Sequence, residues 1–274
     1  MTVFPAAKIN IGLRITEKRA DGFHNIETLF YPLPFCDALE FVESCNCHDP
    51  DSLVVTGIES VGKPEDNLVI KAVRKLRERK SFPGLRLHLH KVIPPGAGLG
   101  GGSSDAAFIL KGINRLYGLG FNDDELKSTA IELGSDCPFF IDMLPAHASG
   151  RGEILTPLPR ALLDRHYLVL AKPAKGISTG EAYASCRPAT PSTPLDTIVC
   201  STPIARWKDS VKNDFDAFAF AREPLIRTLI DEMYRAGALF SLMSGSGSAV
   251  YGIFQCKPKL SALLKEHLIW QGLA

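Results

Sequence analysis

The chain has 274 residues, of which 45% are hydrophobic and 22% charged, and a formal net charge of +1. That is the composition of an ordinary globular protein, which excludes a disordered or fibrous chain, and so small a net charge leaves no long-range field to gather nucleic acid or an anionic membrane. No apolar run approaches the roughly 18 residues of a membrane span, and seven cysteines, odd in number and without framework spacing, fit a reducing cytoplasm.

In chain order, Met1 to Leu13 lacks the basic leader, apolar core and small-residue cleavage site of a signal peptide. Lys8 to Ile15 alternates as a strand, with Lys8 and Asn10 on one face and Ile9 and Ile11 on the other. By itself, Lys8 reads as a surface strand lysine. Arg19 to Thr28, RADGFHNIET, holds a turn signal in Asp21-Gly22, followed by Phe23 and His24. An aromatic ring beside an imidazole suits a planar base, and a hairpin corner equally. Ala38 to Val42 is a second strand. Cys45, Cys47 and His48 form Cys-x-Cys-His with no second cluster at zinc spacing, so a surface loop is expected there. Asn67 to Arg79 sets Leu68, Ile70, Ala72, Val73 and Leu76 against a basic face, which predicts an amphipathic helix with Asp66 as its N-cap.

Leu85 to Ile93 alternates like a half-buried strand and leads into PPGAGLGGGSSDAA, Pro94 to Ala107. Gly96, Gly98, Gly100, Gly101 and Gly102 crowd this stretch; Ser103, Ser104 and Asp105 follow. Ala106, Ile109, Leu110, Ile113, Leu116 and Tyr117 then recur at helical spacing. Strand, glycine loop and helix N-terminus together make a phosphate cradle, because bare glycine amides approach an anion closely and the helix start adds unpaired N–H groups. The Ser103 and Ser104 hydroxyls could touch a phosphate or a magnesium ion, or simply cap the helix. A Walker loop would need lysine where Gly102 stands. A dinucleotide fingerprint matches Gly96 to Gly101 literally, yet the preceding strand alternates and ends in Pro94-Pro95, where a parallel sheet would place a continuous apolar run. A flexible linker does not sit between a clear strand and a clear helix.

Further on, Asn122 to Leu133 is a predicted helix with Asn122 as cap and Gly134 as stop. Asp136 lies in LGSDCPFF, between that glycine and a proline. A carboxylate in so apolar a setting needs a partner or a function, although turn aspartates are common. Pro188 to Pro203, rich in proline, serine and threonine, is a predicted surface loop. Leu225 to Ala236 is helical. Leu239 to Ile253 reads as strand, glycine turn, strand; the turn, Met243 to Ser248, either backs the first loop or closes a tight hairpin. Pro258 to Leu268 is a predicted closing helix. Hairpin-like strands and separate helices favour an α+β chain of two subdomains, 1–155 and 156–274.

Taken in order, four motifs resemble the GHMP small-molecule kinases: AKINIGL (Ala7 to Leu13) with RADGFHNIETLF (Arg19 to Phe30), the glycine loop, LGSDCPFF (Leu133 to Phe140) and MSGSG (Met243 to Gly247). The resemblance runs from Ala7 to about Phe254. It implies a two-subdomain GHMP kinase fold, with a ribosomal-protein-S5-like α/β subdomain first and a ferredoxin-like α+β subdomain second. It also implies ATP as donor with Mg2+. Pro94, Gly96, Gly98, Gly100, Gly101, Gly102, Ser103 and Ser104 would hold the phosphates, Ser103 being the assignment for the metal, and Asn67, Leu68 and Lys91 would lie by the adenosine. Asp136 would deprotonate the acceptor hydroxyl, and Lys8 would neutralise charge on that oxygen and the moving phosphoryl group.

RADGFH points to the branch whose acceptor is a cytidine diphosphate-linked methylerythritol, phosphorylated on its 2-hydroxyl in non-mevalonate isoprenoid synthesis. Asn10 and His24 would then hold the substrate, Phe23 and Tyr183 would sandwich the cytosine, and Ser178 and Thr179 would join from ISTGEAY (Ile177 to Tyr183). The chain departs from the family where Pro5 stands one residue early in Pro5-Ala6-Ala7-Lys8, and where Phe23 replaces the commoner tyrosine. The expected partner is a small molecule, with no nucleic acid and no membrane, for a cytoplasmic monomer or homodimer. A kinase for a homoserine- or mevalonate-type alcohol is disfavoured by the aromatic clamp. A non-catalytic nucleotide binder is disfavoured by the joint presence of Lys8 and Asp136.

Overall fold

From Leu85 to Lys91 every second residue is buried, beginning with Leu85, while Arg86, His88 and His90 face solvent, the period of a strand with one wet face. The structure, a computed structural model, describes residues 1–44, 51–58 and 63–274. Cys45, Cys47 and His48 lie outside the described residues. Strands β1 (Thr2–Val3), β2 (Ala6–Lys18), β3 (His24–Cys36), β4 (Ala38–Glu43), β5 (Ser52–Gly57) and β6 (Leu85–Lys91) precede β7 (Ala146–Ser149), β8 (Ile154–Pro157), β9 (Tyr167–Ala171), β10 (Phe240–Met243), β11 (Val250–Phe254) and β12 (Leu268–Leu273). The helices are α1 (Leu68–Arg79), α2 (Gly101–Tyr117), α3 (Asp123–Ile131), α4 (Phe139–Asp142), α5 (Thr179–Ser185), α6 (Leu195–Ser201), α7 (Trp207–Ser210), α8 (Asp216–Arg222), α9 (Leu225–Arg235) and α10 (Ala262–Glu266). The α+β class is therefore observed.

The chain divides into two compact units, one made of Met1–Ala7, Phe35–Pro95 and Gly100–Met143, the other of Lys8–Pro34, Gly96–Leu99 and Leu144–Ala274. In the first, the sheet order is β1-β4-β6-β5, with β4 antiparallel and β5 parallel to β6. Leu39, Phe41, Leu87 and Leu89 are buried on that sheet, as are Val69, Val73 and Leu76 of α1 and Ile109 and Ile113 of α2. Helix α2 comes close to β4 at Gly112, where a Cβ would stand 2.6 Å from the Phe41 ring. Leu116, expected on the apolar face of α2, is 45% exposed. The cap of α1 is Asn67, whose side chain accepts the Val69 N–H at 2.9 Å. The expected cap, Asp66, instead ends the short 3-10 turn Pro64–Asp66, one residue too early to reach the helix amides. Asn122 caps α3 in a full capping box with Glu125.

In the second unit the sheets run β2-β3-β7-β8 and β10-β11-β9-β12. Leu13, Ile15, Ile26, Val169, Phe215, Ile226, Leu229, Met233, Val250 and Phe254 share its core. Two expectations are corrected here. The segment predicted as the loop Pro188 to Pro203 contains α6, which buries Leu195 and Val199, an i, i+4 pair inside a stretch rich in proline, serine and threonine. The closing helix is only Ala262–Glu266, because Leu268–Leu273 pairs antiparallel with β9 and tertiary pairing overrides the local helical pattern. Among the described residues no helix is long and apolar enough to cross a membrane.

Candidate active site

Strand β2 is buried on both faces from Ala6 to Leu13, so Lys8 and Asn10 are interior residues, 3% and 2% exposed. Lys8 is thus not the surface lysine its alternating strand suggested. Its ammonium donates to Asn10 Oδ1 and lies 4.8 Å over the Phe30 ring. A lysine taken out of water requires such partners. Asn10 is held by its neighbours: its Nδ2 donates to Thr28 Oγ1 at 3.0 Å, and its backbone N–H donates to Ser244 Oγ at 3.1 Å. The Ser244 hydroxyl in turn donates to Gly98 O at 2.8 Å, while the Lys8 N–H donates to Leu99 O at 2.9 Å. The stretch Gly96–Leu99 is therefore stitched both to the lysine strand and to the second glycine turn. Both readings of that turn hold: it closes the antiparallel β10–β11 hairpin, where Met243 pairs with Val250, and it backs the first loop. The contact demands glycine: Gly98 has φ +78°, and a Cβ there would stand 1.9 Å from Ser244 O.

In the other unit, the loop enters α2 through Gly100, a left-handed N-cap with no side-chain hydrogen bond. Neither serine caps the helix. Ser104 is fully buried and its hydroxyl has no hydrogen-bond partner, whereas Ser103 is partly exposed. Asp136 sits half-buried in the turn before α4, which is anchored by buried Cys137, Phe139 and Phe140. Burial pushes the Cys137 thiol up to about 11, with Ser103 hydrogen-bonding it and the Asp136 charge close by. Cys137 consequently stays a neutral thiol between the first turn of α2 and Asp136. Leu68 lies beside the same turn, 3.7 Å from where a Gly102 Cβ would be, and Asn67 is occupied as the α1 cap. Lys91 is 5% exposed, its ammonium paired with Asp37 and, at 2.7 Å, with Asp105.

The residues expected at the base form two other pairs. His24 stacks on Tyr183 with centroids 5.2 Å apart and 22° between planes, and Tyr183 meets Phe215 edge-on at 4.9 Å. Phe23 is 54% exposed, with the Arg151 guanidinium 4.9 Å from its ring centroid. Ser178 caps α5, and Thr179 Oγ1 hydrogen-bonds Ser246 Oγ at 2.8 Å. Sequence reasoning missed the parts played by Thr28 and Asn213, and carried Ser244 only as one residue of the second glycine turn. Asn213 is 4% exposed and donates to Met243 O at 3.0 Å and Gly245 O at 2.8 Å, which fixes the second glycine turn. None carries a spacing signal, since their partners are distant in sequence. Glu27, His147 and Asp196 also converge, but Glu27 already accepts from Arg14 at 3.2 Å and from the Leu195 N–H at 2.7 Å, so the cluster is a satisfied polar network.

Residues 67–142 match the GHMP kinases N terminal domain, and residues 206–266 match the GHMP kinases C terminal family. A protein of Parabacteroides distasonis named 4-diphosphocytidyl-2-C-methyl-D-erythritol kinase is 47% identical, covering 99% of both chains. One of Porphyromonas gingivalis with the same name is 42% identical, over 100% of this chain and 99% of the relative. A solved crystal structure of 4-(cytidine 5'-diphospho)-2C-methyl-D-erythritol kinase superposes with a TM-score of 0.74 at 32% identity, over 92% of this chain and 90% of the other.

Proposed function

We propose, for a chain that belongs to the GHMP kinases and within them to the 4-diphosphocytidyl-2-C-methyl-D-erythritol kinase family, that it transfers a phosphoryl group from ATP to the 2-hydroxyl of 4-diphosphocytidyl-2-C-methyl-D-erythritol. The protein is an ATP-dependent kinase with a small-molecule acceptor, and the reaction belongs to non-mevalonate isoprenoid precursor synthesis. The observation that carries the reading is the buried path Lys8–Asn10–Ser244–Gly98, which ties an interior ammonium to the phosphate loop.

Phosphoryl transfer needs positioning and charge stabilisation more than covalent help from the protein. The amides of Gly96, Gly98 and Gly100 to Ser104, following Pro94, hold the donor phosphates, and Asn67 and Leu68 flank the adenosine, while Lys91, committed to Asp37 and Asp105, lies beneath the first turn of α2. Asp136 accepts the proton of the acceptor hydroxyl. Lys8, oriented by Asn10, stabilises the negative charge that gathers on the acceptor oxygen and the phosphoryl oxygens. A magnesium ion fits the oxygen donors present: Ser103 is the hydroxyl open at the start of α2, whereas Ser104 is sealed in. Ser103 would hold the ion, whose chemistry when bound is to neutralise phosphate charge. Phe23, His24, Asn10, Ser178, Thr179 and Tyr183 receive the cytidine-bearing substrate, through ring stacking and hydrogen bonds to the base edge. The two family matches, residues 67–142 and 206–266, fall on either side of residue 155, which supports an ATP-binding part within 1–155 and a C-terminal part within 156–274, while the compact units interleave, with 8–34, 96–99 and 144–155 in the second. A cytoplasmic monomer or homodimer, without nucleic-acid or membrane partners, completes the reading. Coupled measurement of ADP release tests it. The cytidine-linked alcohol should be consumed and homoserine, mevalonate and galactose left; turnover of one of those three in its place would refute the assignment.

A further inference from the structure

Beneath the first turn of α2 lies an ion cluster sealed from solvent. The Lys91 side chain is 6% exposed, that of Asp37 0% and that of Asp105 3%. The Lys91 ammonium donates to Asp37 Oδ2 and, at 2.7 Å, to Asp105 Oδ2. The other Asp37 oxygen accepts the backbone N–H groups of Val92 and of Ile93, the latter at 2.8 Å, and the Asp37 N–H donates to Pro5 O at 2.9 Å. Asp105 is the fifth residue of α2. A Cβ on Gly101 would stand 2.9 Å from Ile93 Cγ2 and 3.2 Å from the Lys91 ammonium. The three side chains thus join the exit of β6, the residues just before Pro94-Pro95, and the helix whose first amides form the cradle.

We propose that Asp37, Lys91 and Asp105 are positioning residues for the phosphoryl donor: they set the angle at which the chain leaves β6 and enters α2, and so aim the amides of the α2 N-terminus at the phosphates. This rests on the kinase reading above and adds to it. Three ions are far costlier to bury than apolar side chains of the same size, and bulk stability alone does not require them. A fixed junction does, because a donor held loosely loses the in-line geometry on which transfer depends. The ammonium is also committed to two carboxylates, so Lys91 acts on the nucleotide through the loop and not through its own charge.

The test measures binding of a non-hydrolysable ATP analogue and the KM for ATP and for acceptor, on the full chain, for wild type, Asp105→Asn, Asp37→Asn and Lys91→Met. Each variant should weaken the analogue and raise the ATP KM by roughly 3- to 30-fold, the range usual for residues acting through others. The acceptor KM should stay within about twofold. Asp105→Asn is isosteric and keeps the Lys91–Asp37 pair, so it is decisive even if Lys91→Met fails to fold. Unchanged analogue binding in both aspartate variants overturns the proposal. If Lys91→Met alone weakens it, the lysine contacts the nucleotide directly and the positioning role is refuted. Wild-type protein that binds no analogue would instead overturn the kinase reading itself.

Discussion

Replacing Gly98 by alanine separates two reasons for glycine in the phosphate loop. At φ +78° an L-residue is strained by about 1–2 kcal/mol. The added methyl would also meet Ser244 O at 1.9 Å, a backbone atom that cannot rotate away. Relieving such overpacking costs roughly another 1–3 kcal/mol. The sum, about 2–5 kcal/mol, corresponds to a fall in Tm of roughly 4–9 °C at this chain length. Gly96 is the control: its φ is +61°, but nothing lies within 4 Å of a Cβ there, so only the torsional cost of about 1–2 kcal/mol applies. Thermal unfolding of both variants, together with ATP-analogue titration, reads the difference. Gly98→Ala should melt well below Gly96→Ala and bind the analogue more weakly, because the loop can escape Ser244 only by leaving Lys8 and Asn10. If the two variants melt together, the close approach to Ser244 does not constrain the loop and the reasoning fails.

Asp136→Asn and Lys8→Met should each lower kcat by roughly 100-fold or more while analogue binding persists, as their proposed roles at the charge developing during transfer require; near wild-type turnover in either removes its assigned role. Tyr183→Ala should raise the KM for the cytidine-bearing acceptor far more than that for ATP, through loss of the ring stacked on His24; equal shifts would count against a base-binding role. The Glu27–His147 pair should leave a pH signature in stability. The Glu27 hydrogen bond, resisted by burial, raises His147, so its contribution is whole below about 6.5 and fades as pH climbs through the raised value. Burial pushes Glu27 up, but hydrogen bonds from His147, Leu195 and Arg14 outweigh it and leave a net lowering. That contribution is present above about 4.3 and lost only as pH falls through the lower folded value. Wild type minus His147→Gln, measured by urea unfolding, should therefore shrink by about 1 kcal/mol from pH 6 to pH 8; a flat difference curve would show that the pair contributes nothing.

Much of the fold was readable because period and punctuation are local. The alternation of Leu85–Lys91, the capping residue Asn122 and the turn at Asp21-Gly22 each depend on neighbours a few positions away, and each appears where expected. The errors share the opposite cause. Nothing near Leu268 announces β9 as its partner, and only the i, i+4 spacing of Leu195 and Val199 hinted at a helix inside a proline-rich stretch. The backing of the glycine loop by Ser244 was likewise a bare alternative in the sequence, because its two contacts lie 146 and 234 residues away.

The two buried lysines show how far a strand pattern carries toward chemistry. Lys91 falls in phase with Leu85, Leu87 and Leu89, so its inward direction was already written in the period. Its partners were not, because Asp37 and Asp105 stand 54 and 14 residues off. Lys8 is the harder case. Alternation correctly pairs it with Asn10, yet alternation alone assigns that pair to solvent, since a half-buried strand has one wet face. Strand β2 has none over Ala6–Leu13. A polar pair inside a strand covered on both sides must satisfy itself internally, and Lys8 and Asn10 do so through each other, Thr28 and Ser244. Under the proposed kinase reading that buried cation is where transfer charge would gather, so the two-sided burial of β2 bears on the assignment of Lys8 more than the glycine string does. The same argument predicts the outcome for Asn10→Leu: the fold should tolerate it better than transfer does, with kcat falling at an unchanged ATP KM. A rise in the ATP KM alone would show that Asn10 serves the loop and not the lysine.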